Sequence, residues 1–195
     1  MPTDASDSSS LLEGATGIAR HTRELLLDAG VAVAEREGLA GLSVNHVVAE
    51  AGVAKGTFYI HFADREAFVD ALHEAFHARV QEAVDYATRG GTPGETQLWL
   101  GVETYLDVCL DERALKALSL EARADAALTK SMAARHDRFA ASAIPSFRAM
   151  GWRDARAAAQ LLAAMTAEVA IRELEAGRRL PASRRALKRF LGIRF

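Results

Sequence analysis

The sequence predicts an all-α protein with a small N-terminal head and a larger helical body. Three observations carry this. About half of the 195 residues are hydrophobic, yet Val and Ile alternate with polar residues over no long run, so the period-2 signature of half-buried strands is missing. Ala, Leu, Glu and Arg dominate and only four prolines occur, which leaves long stretches of helix formers. Gly38, Gly52, Gly151 and Gly177 each close a stretch of helical apolar periodicity, where glycine commonly ends a helix.

The chain starts MPTDASDSSS, polar and acidic where a secretory signal needs a basic start and an apolar run. Residues 1–17 are expected to be a disordered tail. A first helix is expected over about 22–37, with Thr22 as N-cap and Leu26, Ala29, Gly30, Val33 and Ala34 at helical spacing. Ser43 caps a second, two-turn helix with Val44, Val47, Val48 and Ala51 on its apolar face, closed by Gly52. A third runs from about Ala54 to His61, with Phe58 and Phe62 inward at i and i+4. The head is therefore assigned to residues 18–64.

The body is assigned to residues 65–195. Asp64 caps a fourth helix whose stripe is Phe68, Leu72, Phe76 and Val80, running to about Ala87; the break Arg89–Gly94 follows. A helix over about 95–110 faces Leu98, Val102, Tyr105, Leu106 and Cys109 inward. Short helical material is expected near 114–118, then a long helix over about 122–149 that Pro145 should kink. The next helix, 154–176, is small and apolar on nearly every side, so it is expected to be buried on two faces, the second against another subunit. The last turns Leu187, Phe190 and Leu191 inward and Arg184, Arg185, Lys188 and Arg189 outward.

Composition narrows the function. Net charge is −2, and residues 20–80 carry six Lys/Arg against nine Asp/Glu. A broad basic face is absent, so any nucleic-acid contact must come from a few placed donors. A lone cysteine, Cys109, excludes an internal disulfide and suits a reducing compartment, so a cytoplasmic location is expected. The longest apolar run, residues 161–167, is too short to span a bilayer. No phosphate loop, zinc spacing or nucleophile elbow occurs. His73 and His77 are spaced i, i+4 beside Glu74, but without a third ligand an exposed or capping role is expected. Cys109 reads as a core residue. No enzyme activity, cofactor or metal is expected.

The stretch LSVNHVVAEAGVAKGTFYIHF, Leu42 to Phe62, forms two short helices about a glycine turn, the helix-turn-helix arrangement. The outer face of the third helix carries Lys55, Gly56, Thr57, Tyr59, Ile60 and His61. That set suits DNA better than water. It offers charge, hydroxyls, a ring N–H, close backbone approach and an apolar contact for a thymine methyl.

Residues 22–72 resemble the DNA-binding region of TetR-family transcriptional regulators, in the pattern G-V-x-x-G-T-aromatic-Y-x-H-F followed by a charged turn and a fourth helix. The resemblance implies phosphate contacts from Tyr59, His61 and Arg65, base and backbone contacts from Lys55, Gly56 and Thr57, and backbone approach by Val44 and Asn45. One departure is Ala54, which stands where a capping serine is common. His46 also stands where a capping box would place Glu or Gln. The resemblance further implies a homodimer through the last two helices and an effector pocket inside the body, for which Trp99, Tyr105, Cys109, Phe139 and Met165 are the candidates, with Arg135, His136 and Glu168 turned toward it. The seven Lys/Arg between Arg178 and Phe195 are expected to be a solvated rim that pairs with acids. The reading is a ligand-responsive regulator: a homodimeric repressor on an inverted-repeat operator in double-stranded DNA, released by a small, mostly apolar effector. The competing class is a helical binding protein or enzyme whose head is only structural.

Overall fold

The computed structural model describes residues 6–113, 116–117 and 126–193, and their side chains over 17–113, 116–117 and 137–193. The described residues form eight α-helices: α1 Ser6–Gly41, α2 Val44–Ala51, α3 Lys55–His61, α4 Arg65–Thr88, α5 Glu95–Asp111, α6 Ala126–Ala149, α7 Ala155–Ala176 and α8 Pro181–Phe190. No helix among them is long and apolar enough to cross a membrane. The material expected near 114–118 falls mostly outside the described residues.

The chain divides into two compact units, Met1–Leu72 and His73–Phe195. The expected boundary at 64/65 therefore moves into α4. The reason is aromatic packing. Phe68, in the first turn of α4, lies 5.2 Å from the Phe58 ring and 5.0 Å from the Phe62 ring, and all three are buried. The start of α4 belongs with the head because it completes the head's core.

Two expectations about α1 are corrected. The helix begins at Ser6, so residues 6–17 are helical where a disordered tail was expected. No proline stands between Ser6 and Gly41 to stop the helix. Thr22 is accordingly no N-cap: its hydroxyl donates to the Ile18 carbonyl one turn back, at 2.9 Å. Gly38 does end the regular helix. Its φ of 66° breaks the run, and the chain re-enters a short helical turn before Gly41.

Gly30 has a different use. A Cβ there would lie 2.5 Å from Phe68 Cζ and 3.1 Å from Leu72 Cδ1. Phe68 cannot swing aside, because Phe58 and Phe62 hold its ring. We expect Gly30→Ala to destabilise the head by about 1–2 kcal/mol, overpacking outweighing alanine's better helix propensity. Thermal unfolding of the variant measures this, and an unchanged or raised midpoint would show that α1 and α4 can separate.

In the body, α5, α6 and α7 pack on one another and α8 packs on α7. The inward set expected for α5 is buried throughout: Leu98, Val102, Tyr105, Leu106 and Cys109. Asp64 caps α4 as expected, its carboxylate accepting the Ala67 N–H at 2.7 Å. Pro145 sits within α6, which continues to Ala149. On α8 two positions exchange places with expectation: Phe190 is 77% exposed, while Arg184 is buried. Arg184 turns inward to acids. It gives hydrogen bonds to both Glu173 oxygens at 2.7 and 2.6 Å and one to Asp107 at 2.8 Å. Arg179 pairs with Asp107 as well, at 2.8 Å. For these two arginines the rim reading holds in part: they meet acids, but Arg184 does so in the interior. His73 is fully buried, which corrects its exposed reading.

Candidate functional site

α2 is fixed at both ends by its own sequence. Ser43 accepts the His46 N–H at 3.2 Å, satisfying one free donor of the first turn. Gly52, at φ 66°, donates its N–H back to the Ala49 and Val48 carbonyls, and the Val53 N–H follows it to Val48 at 3.0 Å. This left-handed close turns the chain sharply and admits no side chain without strain. His46 stands where a capping box was sought, and its ring takes another role: Nδ1 lies 3.0 Å from the Gly41 carbonyl and 2.9 Å from Glu37.

α3 lacks a side-chain cap at Ala54, whose carbonyl receives the Thr57 N–H at 2.9 Å. Its inner side is Phe58, fully buried, which contacts Phe62 at 5.4 Å between ring centroids. Its outer side is Lys55, Gly56, Tyr59 and Ile60, all exposed. Lys55 and Tyr59 form one i, i+4 row and Gly56 and Ile60 the neighbouring one. Tyr59 is 50% exposed and Ile60 79%. A Cβ at Gly56 would meet nothing within 4 Å, so no packing inside the chain calls for a glycine there. Thr57 and His61 are half-buried at the flanks. On α2, Asn45 is exposed and Val44 half-buried.

Arg65 has a second, structural role besides the phosphate contact expected of it. Its Nε donates to the Leu42 carbonyl at 2.6 Å and its terminal nitrogen to the Leu39 carbonyl at 2.7 Å. Those carbonyls belong to the α1–α2 junction. Arg65 thus clamps that junction with two of its five N–H donors, and the others remain for a phosphate. Lys55 extends from the exposed outer side of α3.

The candidate ligand residues do not gather in one place. Phe139 and Tyr105 meet at 4.5 Å between ring centroids. Both line a cavity of about 400 Å³ with Glu74, Glu82, Asp85, Arg89 and Arg138, a charged lining. Cys109 is buried, and burial pushes its thiol above the ordinary value against the opposing pull of Lys116 and the Tyr105 hydroxyl. It is a packed core thiol, and burial favours its protonated form. Trp99 is buried beneath Lys188, whose Nζ lies 5.1 Å from the ring centroid. Met165 lies on an open groove between α7 and α8, and Glu168 lies there too, paired with Arg172 at 2.8 Å. Trp99, Met165 and Glu168 do not line that cavity. Arg135 and His136 fall among side chains outside the described set.

A second cavity, of about 170 Å³, lies between the end of α4 and α5, α6 and α7. Phe139 reaches it, but most of its wall is Ala, Gly, Ser, Val and Leu, with Gln97 and Thr88. The sequence reading sought large or soft side chains and so passed over these. Small residues within a helix read as helix formers, and only the packed helices show the space they leave.

Residues 26–72 match the family model of bacterial regulatory proteins of the tetR family. The chain is 30% identical over 89 residues to an uncharacterized HTH-type transcriptional regulator, YvdT of Bacillus subtilis (strain 168), a match spanning 46% of this chain and 42% of that protein. A transcriptional regulator from Rhodococcus sp. RHA1 shares the fold with a TM-score of 0.75 at 22% identity, over 87% of this chain and 94% of the other. The fatty acid degradation regulator FadR from Bacillus halodurans does so at 0.73 and 19%, over 87% and 94%. The glycine turn, the buried Phe58–Phe62–Phe68 core and the outward α3 face lie within the head that matches the tetR-family model, and the all-α fold is shared with these solved structures.

Proposed function

We propose that the chain regulates transcription as a homodimer on an inverted-repeat operator in double-stranded DNA, as a repressor that a small, mostly apolar effector releases. One observation carries the DNA reading. Tyr59 and Ile60 stand 50% and 79% exposed beside Lys55 and an unpacked Gly56, while the same short helix buries Phe58 completely. A solvated face has no use for that pair, whereas a major groove has. Two such helices on one dimer require half-sites about 34–36 Å apart, or a multiple. The head is acidic overall, so phosphate contacts come from a few placed donors and the salt dependence should be modest for a regulator.

For release, α4 supplies the link. Its residues 65–72 lie in the head, while Val84 and Thr88 line the 170 Å³ cavity of the body. An effector that binds better when α4 is in the DNA-incompetent arrangement shifts the population by that difference in affinity and by no more.

Selection from random DNA, followed by salt titration of the winners, tests the DNA reading. An enriched inverted repeat whose affinity falls with salt supports it; an unenriched pool bound without salt sensitivity overturns it. Within that assay, Tyr59→Ala should weaken all sequences alike by about tenfold, as loss of one phosphate hydrogen bond does. A change confined to certain base positions would assign Tyr59 to base reading. Gly56→Ala should hold or slightly raise the melting temperature, since its methyl meets open space and alanine favours the helix, and still weaken binding severalfold where DNA backbone comes that close.

A further inference from the structure

The 170 Å³ cavity has a chemical character that the effector reading by itself does not specify. Its apolar wall is Val84, Leu98, Val102, Phe139 and Leu162, completed by small residues. Among the described residues, none of its lining side chains is charged. The neighbouring 400 Å³ cavity, lined by Glu74, Asp85, Arg89 and Arg138, is the opposite case. A charged ligand in the smaller cavity would lose its water without gaining a counter-ion, which costs far more than a neutral polar group does.

Four lining residues are polar, and their hydrogen bonds are only partly committed. Thr88 and Ser142 donate their hydroxyls to the Val84 and Phe139 carbonyls, at 2.7 Å each. Ser146 is different. It is 4% exposed, and its oxygen accepts the Gly94 N–H at 3.2 Å. Its own hydrogen has no acceptor among the described residues. Gln97 donates its amide N–H to the Thr88 carbonyl at 2.8 Å, which leaves its amide oxygen able to accept. The cavity therefore presents one buried hydroxyl donor and one amide acceptor in its lining. Its volume is on the scale of a single six-membered ring, since an apolar cavity of about 150 Å³ takes benzene.

We infer that this cavity binds a small neutral ring or short-chain molecule with one hydroxyl-like group, its oxygen accepting from Ser146 and its hydrogen passing to Gln97. This rests on the reading that the body takes an effector, and it selects which cavity and which class.

The test is calorimetry on the full chain with phenol, toluene, benzoate and benzylammonium as probes. Phenol should bind saturably. Benzoate and benzylammonium, with the same ring and a full charge, should bind at least about tenfold more weakly. Ser146→Ala should weaken phenol about 3- to 10-fold, the effect of one neutral hydrogen bond, and leave toluene unchanged. Loss of both together would show a merely structural role for Ser146 and overturn its assignment. Ala143→Phe, which fills the cavity from α6, should abolish phenol binding. If that variant does not fold, the probe series and Ser146→Ala still decide. Benzoate or benzylammonium binding as tightly as phenol overturns the neutral-ligand inference and leaves DNA binding untouched. Phenol bound as described without any effect on the operator complex upholds the inference and defeats release by this cavity.

Discussion

Glu173→Ala is expected to destabilise the body by about 3 kcal/mol, the scale for breaking a buried pair and stranding its charge. Glu173 is 1% exposed, and Arg184 lies against it with two hydrogen bonds. A third bond reaches it from the Leu180 N–H at 2.8 Å, tying the start of α8 to the end of α7. Without the carboxylate, Arg184 keeps only Asp107, which is itself shared with Arg179. For a chain of this length the melting temperature should fall by about 6–12 °C. Replacing Glu173 and Arg184 together by leucine should recover most of the loss, because no buried charge is then stranded. A midpoint within 2 °C or so of wild type for the single variant would show that the pair contributes nothing net.

The same pair gives a pH dependence. Burial pushes the Glu173 carboxyl up, but the Arg184 and Leu180 hydrogen bonds and the charges of Arg184 and Arg179 outweigh it, leaving it below the ordinary 4.5. A carboxyl lowered in the folded state contributes stability above its unfolded value and loses it as pH falls through the folded one. Wild-type stability should therefore fall below about pH 4.5, and Glu173→Gln should lack that part of the fall.

Operator binding should collapse when the groove between α7 and α8 is charged. Leu161 is 65% exposed and Phe190 77% exposed. The groove between their helices, about 460 Å³, is lined by Met165, Val169, Ala186 and Phe190. Exposed apolar side chains flanking an apolar groove suit a second copy of the chain. Leu161→Glu with Phe190→Glu should turn the expected dimer into a species of 21.0 kDa by sedimentation. Both sites are exposed on the chain, so the variant should stay folded, its melting temperature lowered only by the stabilisation the partner supplied. Operator affinity should fall by about 100-fold or more, because the second head no longer binds at an effective local concentration set by the first. A variant that still sediments as a dimer places the interface elsewhere.

The head was the legible part. Lys55 to His61 lie on one short helix, where exposure follows the 3.6-residue period, and Ser43 and Gly52 act on their immediate neighbours. Arg65 was not legible, because the carbonyls it clamps are 23 and 26 residues earlier. Nor was the inward turn of Arg184. Periodicity allowed either Phe190 or Arg184 to face the body, and the choice fell to Glu173 and Asp107, 11 and 77 residues away. Burying a phenylalanine is worth about 1.5–3 kcal/mol. Leaving Glu173 buried without its partner would cost more.

By itself, the sequence determined α2 and α3, the glycine turn between them and the outward chemistry of α3, since each depends on residues within about one turn of one another. Only the tertiary structure decided where the head ends, which charges are buried in pairs, and where the body keeps empty space. Each of those is set by groups far apart along the chain, and a cavity is made by side chains too small to announce it.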